Sequence, residues 1–202
     1  MSQEYLAFAE ANGIENLLDL GWMRNAFVAD YVAEALIEAG YTQGYLVSYD
    51  GFGRYLDGTY TAVLPDRMEY GIYRPATYEV SGGTSLVSFR NYPLPDNGAD
   101  TWRYFAFSNG RIASVFVDPA DGVCKSSTDN LVSYSKSASC AEIVITCAPL
   151  FLTETLDESA LLQLQAEGIS SIWAEGKELR YTDPSLKLAL FEGNGYTQKY
   201  MQ

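Results

Sequence analysis

WMRNAFVADYVAEALIEAG, residues 22–40, is the stretch that decides the fold of this chain. Its apolar residues recur every three or four positions, so the pattern predicts a helix over residues 22–39. The apolar stripe comprises Val28, Val32, Ala35, Leu36 and Ala39, and the acids Asp30, Glu34 and Glu38 lie mostly on the opposite face. Gly40 follows, and glycine tolerates the left-handed backbone that commonly ends a helix.

A strand-rich region follows this helix. Apolar and β-branched runs punctuated by Gly, Pro, Asn and Asp predict strands over residues 45–49, 60–64, 70–73, 85–89, 102–107 and 112–117. The segment Ser108-Asn109-Gly110-Arg111 is the strongest hairpin signal, because Asn-Gly suits a turn that needs positive φ twice. A further strand is predicted over residues 131–134.

Helical patterns return in the last third of the chain. Residues 137–152 and 157–167 predict two helices, with Asp157 as the N-cap of the second. The run Ile143-Val144-Ile145-Thr146 is equally typical of a strand, and we favour the helix. A closing hairpin is predicted over residues 169–174 and 179–182, and a short helix over residues 4–11. This order of elements predicts an α+β domain with helices packed on a mostly antiparallel sheet.

Composition excludes several classes of function. The 202 residues include 13 basic and 26 acidic side chains, and the net charge of −13 repels nucleic acid and anionic lipid surfaces. There is no histidine, so Ser-His-Asp and Cys-His catalysis are excluded. Three cysteines without CxxC spacing argue against a disulfide framework and structural zinc, and we expect Cys140 and Cys147 to be small buried hydrophobes.

Targeting signals are not apparent in the sequence. No run of about 18 apolar residues occurs, so no membrane-spanning helix is predicted. The first residues lack the basic-then-apolar order of a secretory signal, and the sequence leaves the compartment open.

Five segments together resemble the FAD:protein FMN transferase (ApbE-like) family. Residues 18–30, LDLGWMRNAFVAD, are similar to that family's "DLGGIAKGYAVD". The other four segments follow in the family's order. Residues 44–48 are similar to the family's "ALVNLGGD", residues 80–83 to "TSGD", residues 115–122 to "HIIDPRTG" and residues 140–147 to "TADALATA". The resemblance spans residues 18–187. It implies that residues 1–202 form a single, divergent ApbE-like (T-fold-like) domain, which corresponds to the C-terminal part of the family's domain and lacks the N-terminal part.

The resemblance also implies a cofactor and a set of site residues. The family binds FAD with Mg²⁺, is often exported, and transfers FMN to a threonine of a target protein. The cofactor-binding positions fall on Asn25, Ser81, Gly82, Asp118 and Gly122, and the metal positions fall on Glu142 and Thr146. Several charged groups are replaced: the family's lysine by Asn25, the acid of "SGD" by Gly83, and the metal-binding aspartate by Glu142. No catalytic residue is assigned.

Each of these positions has a simpler structural interpretation. Glu142 and Thr146, four apart on a helix, either supply two oxygens to Mg²⁺ or are an exposed acid beside a core-facing hydroxyl. Residues 118–122 form a turn that either lines a flavin pocket or only reverses the chain. Ser81-Gly82-Gly83 either brings amides to a phosphate or joins two strands. Asn25 offers a hydrogen bond but no positive charge.

Three functional hypotheses follow. The simplest is a divergent ApbE-like protein that has lost efficient flavin transfer and retains a flavin- or nucleotide-sized cleft. The second is an active Mg²⁺-dependent transferase that acts on a target protein and is completed by a missing N-terminal segment or a second subunit. The third is a non-enzymatic interaction module that uses its aromatic-rich sheets, since the chain has 16 tyrosines. We also expect a homodimer, because a truncated start would expose a sheet edge or an apolar face.

Overall fold

A computed structural model describes residues 3–13, 21–68, 71–94, 97–109, 111–118 and 120–202. The helices are α1 (Gln3–Ala11), α2 (Arg24–Glu38), α3 (Cys140–Phe151) and α4 (Glu158–Ala166), with one-turn 3-10 helices at Gly21–Met23 and Gly98–Trp102. The strands are β1 (Tyr45–Val47), β2 (Phe52–Tyr55), β3 (Thr59–Met68), β4 (Gly71–Ser81), β5 (Thr84–Arg90), β6 (Tyr104–Ala106), β7 (Ile112–Ser114), β8 (Asn130–Ser135), β9 (Ile169–Glu175), β10 (Glu178–Tyr181), β11 (Leu188–Leu190) and β12 (Thr197–Tyr200).

These strands form a large sheet, a small sheet and a separate hairpin. The large sheet has the order β1-β2-β5-β8-β9-β10-β12, and the small sheet has the order β11-β4-β3. Every pairing is antiparallel except that of β10 with β12. The predicted α+β fold with a mostly antiparallel sheet is therefore confirmed.

The large sheet lies between helices α2, α3 and α4 on one side and the small sheet on the other. Because successive side chains of a strand point to opposite faces, Val87 and Trp173 pack with residues of α2 and α3. Their neighbours Leu86 and Ile172 pack with buried residues of β3 and β4. Each face of the large sheet thus has its own apolar core.

The face of α2 that packs inward differs from the predicted stripe. Its buried residues are Ala26, Ala29, Asp30 and Ala33, whereas Val28 is exposed. Small alanines let the helix approach β2 and α3 closely, and burial of Asp30 is compensated by its ion pair with Arg54 at 2.6 Å. The predicted stripe was wrong because it ranked residues by hydrophobicity and did not consider close approach.

The later helices form as expected. Residues 140–151 are helical rather than extended, and Ser139 and Glu142 form a reciprocal capping box at the start of α3. Asp157 caps α4 through its bond to the amide of Ala160. Cys140 and Cys147 are buried, and burial raises the pKa of the Cys140 thiol to about 12 and that of Cys147 to about 11. The prediction that these two cysteines are buried is confirmed.

The strands differ from prediction mainly in extent. β3 and β4 are longer than predicted, and β2, β11 and β12 were not predicted. Residues 98–102 form a 3-10 helix in place of the start of a predicted strand. The β6–β7 pair confirms the predicted hairpin, although Gly110 at its tip lies outside the described residues. Among the residues described, no helix has the length and apolar character needed to cross a membrane.

Candidate functional site

Asn25, the position of the family's lysine, lies in the first turn of α2 and is already hydrogen-bonded. Its side-chain amide donates to the carboxylate of Asp50, which also accepts a hydrogen bond from the Ser48 hydroxyl. Asp50 is buried in the turn between β1 and β2. Asn25 therefore joins α2 to this turn, and its amide nitrogen donates within the protein. Residues 18–20 of the resembling segment lie outside the described residues.

Glu142 and Thr146 share a face of α3, and both side chains bond to the helix itself. The Glu142 carboxylate accepts the amide of Ser139 at 2.8 Å, and the Thr146 hydroxyl donates to the Glu142 carbonyl at 2.8 Å. Over the described parts of the chain, no three His, Cys, Asp or Glu residues form a metal-binding group. Two oxygens engaged in this way fall well short of the octahedral shell of Mg²⁺, so these residues do not fit the implied metal.

Asp118 and Gly122 belong to one turn that is held by a lysine. The Asp118 carboxylate accepts the Ala120 amide at 2.8 Å and pairs with Lys125 at 2.8 Å, and Asp121 pairs with the same ammonium at 2.7 Å. These hydrogen bonds from Lys125 and from the backbone lower the pKa of both aspartates. Gly122 adopts φ +70°, which such a turn requires. Pro119 lies outside the described residues.

Ser81, Gly82 and Gly83 connect β4 to β5, and the glycine amides already have partners. Gly82 donates to the Gly58 carbonyl at 2.8 Å, and Gly83 donates to the Tyr55 carbonyl at 2.7 Å. An added Cβ on Gly82 would lie 2.5 Å from the Asp57 Cα. Close packing against the loop before β3 thus accounts for the glycine. Ser81 of this segment lines a cavity.

That cavity, here called the tyrosine cleft, has a volume of about 620 Å³ and opens between the small sheet and the ends of β5, β8 and β9. Its polar and aromatic walls come from Thr59, Tyr78, Glu79, Ser81, Thr84, Tyr134, Lys136, Ser137, Ser170, Asp183, Ser185 and Lys187. A cleft of this volume is in the range of small-molecule sites, which span about 300–1,000 Å³. The sequence analysis missed every lining residue except Ser81 as a site residue.

The polar groups of the tyrosine cleft are unequally engaged. The Tyr134 hydroxyl donates to Asp183 at 2.9 Å, and burial together with that carboxylate raises the pKa of Tyr134. Lys187 pairs with Glu79 at 2.7 Å. Lys136 is exposed at the rim, and the structure shows no ion pair for it within the described ranges. A free cation beside two tyrosine rings favours a ligand with an aromatic ring and an anionic group.

Asp30 is a buried polar residue with several partners that the sequence analysis did not select. Its carboxylate accepts the amides of Cys140 and Ala141 at 3.0 and 2.8 Å, and it pairs with Arg54. It therefore anchors the start of α3 to α2 and β2. The signal was available in the sequence, because Asp30 shares a helical face with Ala26 and Ala33.

Comparison with known proteins supports the fold. No protein-family model matches the chain, and no curated protein matches it. The structure is similar to the crystal structure of the ApbE protein from Thermotoga maritima, with a TM-score of 0.59 and 15% identity. The similarity covers 77% of this chain and 48% of that one, so this chain spans about half of its structural neighbour. Likeness at this identity establishes an ApbE-like α+β fold.

Proposed function

We propose that this protein is a binding domain with an ApbE-like fold, whose tyrosine cleft binds a flavin or a nucleotide of similar size. We also propose that it is a divergent relative of the ApbE-like family that transfers FMN poorly or not at all. The observation that carries the proposal is the cleft itself. It combines a volume of about 620 Å³, the rings of Tyr78 and Tyr134, and the ammonium of Lys136, for which the described part of the chain provides no ion pair. Ser81, one of the residues implied by the family resemblance, lies on its wall.

The chemistry of the ligand follows from the wall of the cleft. Aromatic side chains stack on flat rings, and an ammonium at the rim pairs with a phosphate that stays partly in water. Hydroxyls from Ser81, Ser137 and Ser170 add hydrogen-bonding groups suited to a ribityl or ribose chain. The overall charge of −13 opposes anionic ligands, so the local position of Lys136 is the decisive feature.

Impaired transfer is proposed on separate grounds. Phosphoryl transfer needs cations that neutralise charge developing on the phosphoryl oxygens. At the positions implied by the resemblance, the lysine is replaced by Asn25, which bonds Asp50. Glu142 and Thr146 bond within α3 instead of converging on a cation. The protein therefore binds the ligand but lacks the groups that would make FMN transfer efficient.

Flavin titration tests the binding half of the proposal. We expect FMN and FAD fluorescence to be quenched saturably by the protein, and the Lys136→Glu variant to bind about tenfold more weakly because it places an anion beside the phosphate. Lys199→Glu, the same change on exposed β12, is the matched control and should bind as the wild type does. Absence of quenching, or an equal loss in both variants, contradicts the proposal.

A transfer assay tests the other half. The protein is incubated with FAD, Mg²⁺ and a threonine-containing target peptide, and the peptide is examined by mass spectrometry for added FMN. We expect unmodified peptide. Covalent yellow product would establish the alternative, an active Mg²⁺-dependent transferase, and would overturn the proposed impairment.

A second candidate function, the interaction module, is favoured by one observation. Trp102 is 90% exposed, and it precedes the β6–β7 hairpin, where Phe105 and Phe107 are also exposed and stack edge to face at 4.9 Å. Exposed aromatic groups of this kind are typical of protein interfaces. The homodimer is the partner to test first: sedimentation velocity should show concentration-dependent dimers that Trp102→Ser abolishes. A monomer at every concentration contradicts this candidate.

A further inference from the structure

β1 forms one edge of the large sheet, and in the described part of the chain β2 is the strand that pairs with it. The Ser48 amide, just after β1, donates to the Phe52 carbonyl at 2.7 Å. Because backbone groups alternate in direction along a strand, those of Tyr45 and Val47 point away from β2. The side chains of Tyr45 and Val47 are 59% and 51% exposed. β1 therefore has a free edge with two outward donors and two outward acceptors.

The sequence of β1 lacks the features that usually oppose pairing with another strand. Residues 39–49 contain no charged side chain. By contrast, β12 at the far edge of the same sheet carries Lys199. β3, at an edge of the small sheet, carries Pro65 and a shift in its pairing between Leu64 and Asp66. Lysine, proline and irregular pairing all prevent association of sheet edges, so β1 is better suited than these two strands to receive a further strand.

An apolar ridge of α2 lies beside this free edge. Val28, Val32 and Leu36 follow Asn25 at spacings of three, seven and eleven residues, which places all four on one side of the helix. Asn25 bonds Asp50 in the turn between β1 and β2, so this side of α2 faces β1. Val28 is exposed, and Val32 and Leu36 are half-buried. Most of the stripe that the sequence predicts to be in the core is thus partly open to solvent beside β1.

The other side of α2 faces α3. Asp30 accepts the amides of Cys140 and Ala141 at the start of α3. α3 packs over β5 and β8, which lie on the far side of β2 from β1. α3 therefore does not cover the apolar ridge. The ridge and residues 45–49 form one uncharged surface, here called the β1 surface.

We propose that the β1 surface binds the β1 surface of a second copy of this chain, with a two-fold axis at Leu46. The inference rests on the homodimer of the second candidate function and assigns its interface. The two β1 strands pair antiparallel, so Tyr45 of one copy lies opposite Val47 of the other, and four backbone hydrogen bonds form. The apolar ridges of the two α2 helices then face each other in the helix layer.

A second copy suits this surface because the surface is complementary to itself. Pairs of an aromatic and a β-branched residue, such as Tyr45 with Val47, are favourable across antiparallel strands. The net charge of −13 makes two copies repel each other, so their contact needs a patch without charge. The two-fold axis also reverses α2, which brings the exposed Arg24 at its start towards the exposed Glu38 at the end of the other α2. A basic partner attracted by the net charge needs acids, which the β1 surface lacks.

The surface continues from β1 towards Trp102. Tyr49 is 80% exposed, and its carbonyl accepts the side-chain amide of Asn97 at 2.7 Å. Asn97 directly precedes the 3-10 helix that ends at Trp102. We expect each copy to contribute roughly 500 Å², and a total of about 1,000 Å² is at the lower end of specific interfaces. The dimer should therefore be weak, with a Kd of about 10–100 μM.

Sedimentation velocity of strand variants tests the interface. Val47→Lys places like charges across the two-fold axis and should raise the Kd of the dimer by about tenfold or more. Val63→Lys is the matched control, because Val63 lies on β3 and is 46% exposed, and it should change the Kd by less than about twofold. Val28→Lys tests the ridge of α2 in the same way and should resemble Val47→Lys. None of these residues lines the tyrosine cleft, so flavin binding should not change.

Cysteine cross-linking tests the register of the two strands. In the proposed pairing, Leu46 lies opposite Leu46 of the other copy at a position without hydrogen bonds, where Cβ atoms are about 4.5–5.5 Å apart. Cys124→Ser first removes the exposed thiol of the wild type. In that background Leu46→Cys should give disulfide-linked dimers on mild oxidation, whereas Val63→Cys should stay monomeric under denaturing conditions.

The possible failures are distinguishable. A wild-type protein that is monomeric up to about 1 mM overturns both this interface and the homodimer candidate. Dimers that persist in Val47→Lys, or that Leu46→Cys does not cross-link, overturn the interface alone, because the homodimer then uses another surface. An equal loss in Val47→Lys and Val63→Lys also overturns the interface. Circular dichroism of all variants verifies that folded proteins are compared.

Discussion

The two faces of the large sheet treat their polar residues differently. On the helix face, the side chains of Asp30, Asn25 and Glu142 form hydrogen bonds with other groups of the protein, at the starts of helices and in a turn. On the face that bears the small sheet, Lys136 points to a cleft and Asn130 has an unpartnered oxygen. Of the positions implied by the resemblance, Asn25, Glu142 and Thr146 lie on helices of the first face, whereas Ser81 lies on the cleft at the second. A polar side chain whose hydrogen bonds are all made within the protein stabilises the fold. A polar side chain that lacks a partner and lies beside a cavity is the better candidate for binding a ligand.

Replacing Asp30 gives the largest expected effect on the helix face. Asp30→Ala leaves Arg54 without its partner and two amides at the start of α3 without an acceptor. Breaking a largely buried ion pair costs about 3–5 kcal/mol of the free energy of unfolding. Urea denaturation measures the loss, and flavin binding by the folded fraction should be unchanged.

The control for this variant lies on the same helix. Glu34 is exposed, and Glu34→Ala should change the free energy of unfolding by less than about 0.5 kcal/mol. If Asp30→Ala costs no more than Glu34→Ala, the polar residues of the helix face are not structural, and the contrast between the two faces fails.

Gly82 distinguishes a packing role from a phosphate-binding role. Its added Cβ would meet the Asp57 backbone at 2.5 Å, so Gly82→Ala should cost about 2 kcal/mol through overpacking. Gly98→Ala is the matched control, because nothing lies within 4 Å of its added Cβ, and it should be nearly neutral. A Gly82→Ala protein of unchanged stability that no longer quenches flavin fluorescence would instead assign this turn to ligand binding.

The sequence predicted the fold well where local chemistry decides it. Asp157 was predicted as an N-cap and does cap α4 by bonding its first turn. The Ser139–Glu142 capping box is an equally local signal at the start of α3, but it was not identified from the sequence. β2 was missed because Gly53 interrupts an otherwise strand-like run. The inward face of α2 was missed because close approach, which favours Ala29, depends on what the helix packs against.

The candidate site was less predictable, because it is assembled from distant segments. Ser81, Tyr134 and Lys187 are separated by more than fifty residues each and meet only when the small sheet covers the large one. No periodicity or short motif carries that information. The resemblance indicated Ser81 on the cleft but placed the metal on Glu142 and Thr146, whose side chains bond within α3. Assignment of the chain to the C-terminal part of the family's domain stays a prediction.

The capping box separates the two roles proposed for Glu142. Ser139→Ala removes the bond to the Glu142 amide and should cost about 1 kcal/mol in thermal or urea unfolding. Glu142→Gln keeps an oxygen for the Ser139 amide and should cost about 0.5 kcal/mol, mainly from lost interaction with the helix dipole. If Mg²⁺ raises the unfolding midpoint of the wild type but not that of Glu142→Gln, Glu142 is a metal ligand and the helix face does carry a ligand site.

The turn that contains Asp118 should produce the smallest effect, visible as a change in pH dependence. Hydrogen bonds from Lys125 and the Ala120 amide lower the pKa of Asp118 from its usual 3.8, so the folded state binds its proton less readily than the unfolded state does. The resulting stabilisation is present above the unfolded pKa and disappears as the pH falls through the lower folded pKa.

Asp118→Asn should therefore lose less stability than the wild type on acidification from about pH 5 to pH 2, in urea midpoints measured across that range. Lys125→Met should flatten the profile further, because Lys125 serves both Asp118 and Asp121, whereas Lys187→Met, which removes an exposed pair on the other face, should leave the profile nearly unchanged. Identical profiles for the wild type and Asp118→Asn would mean that the turn is not closed by its lysine, and Asp118 would then be free for the flavin contact that the resemblance implies.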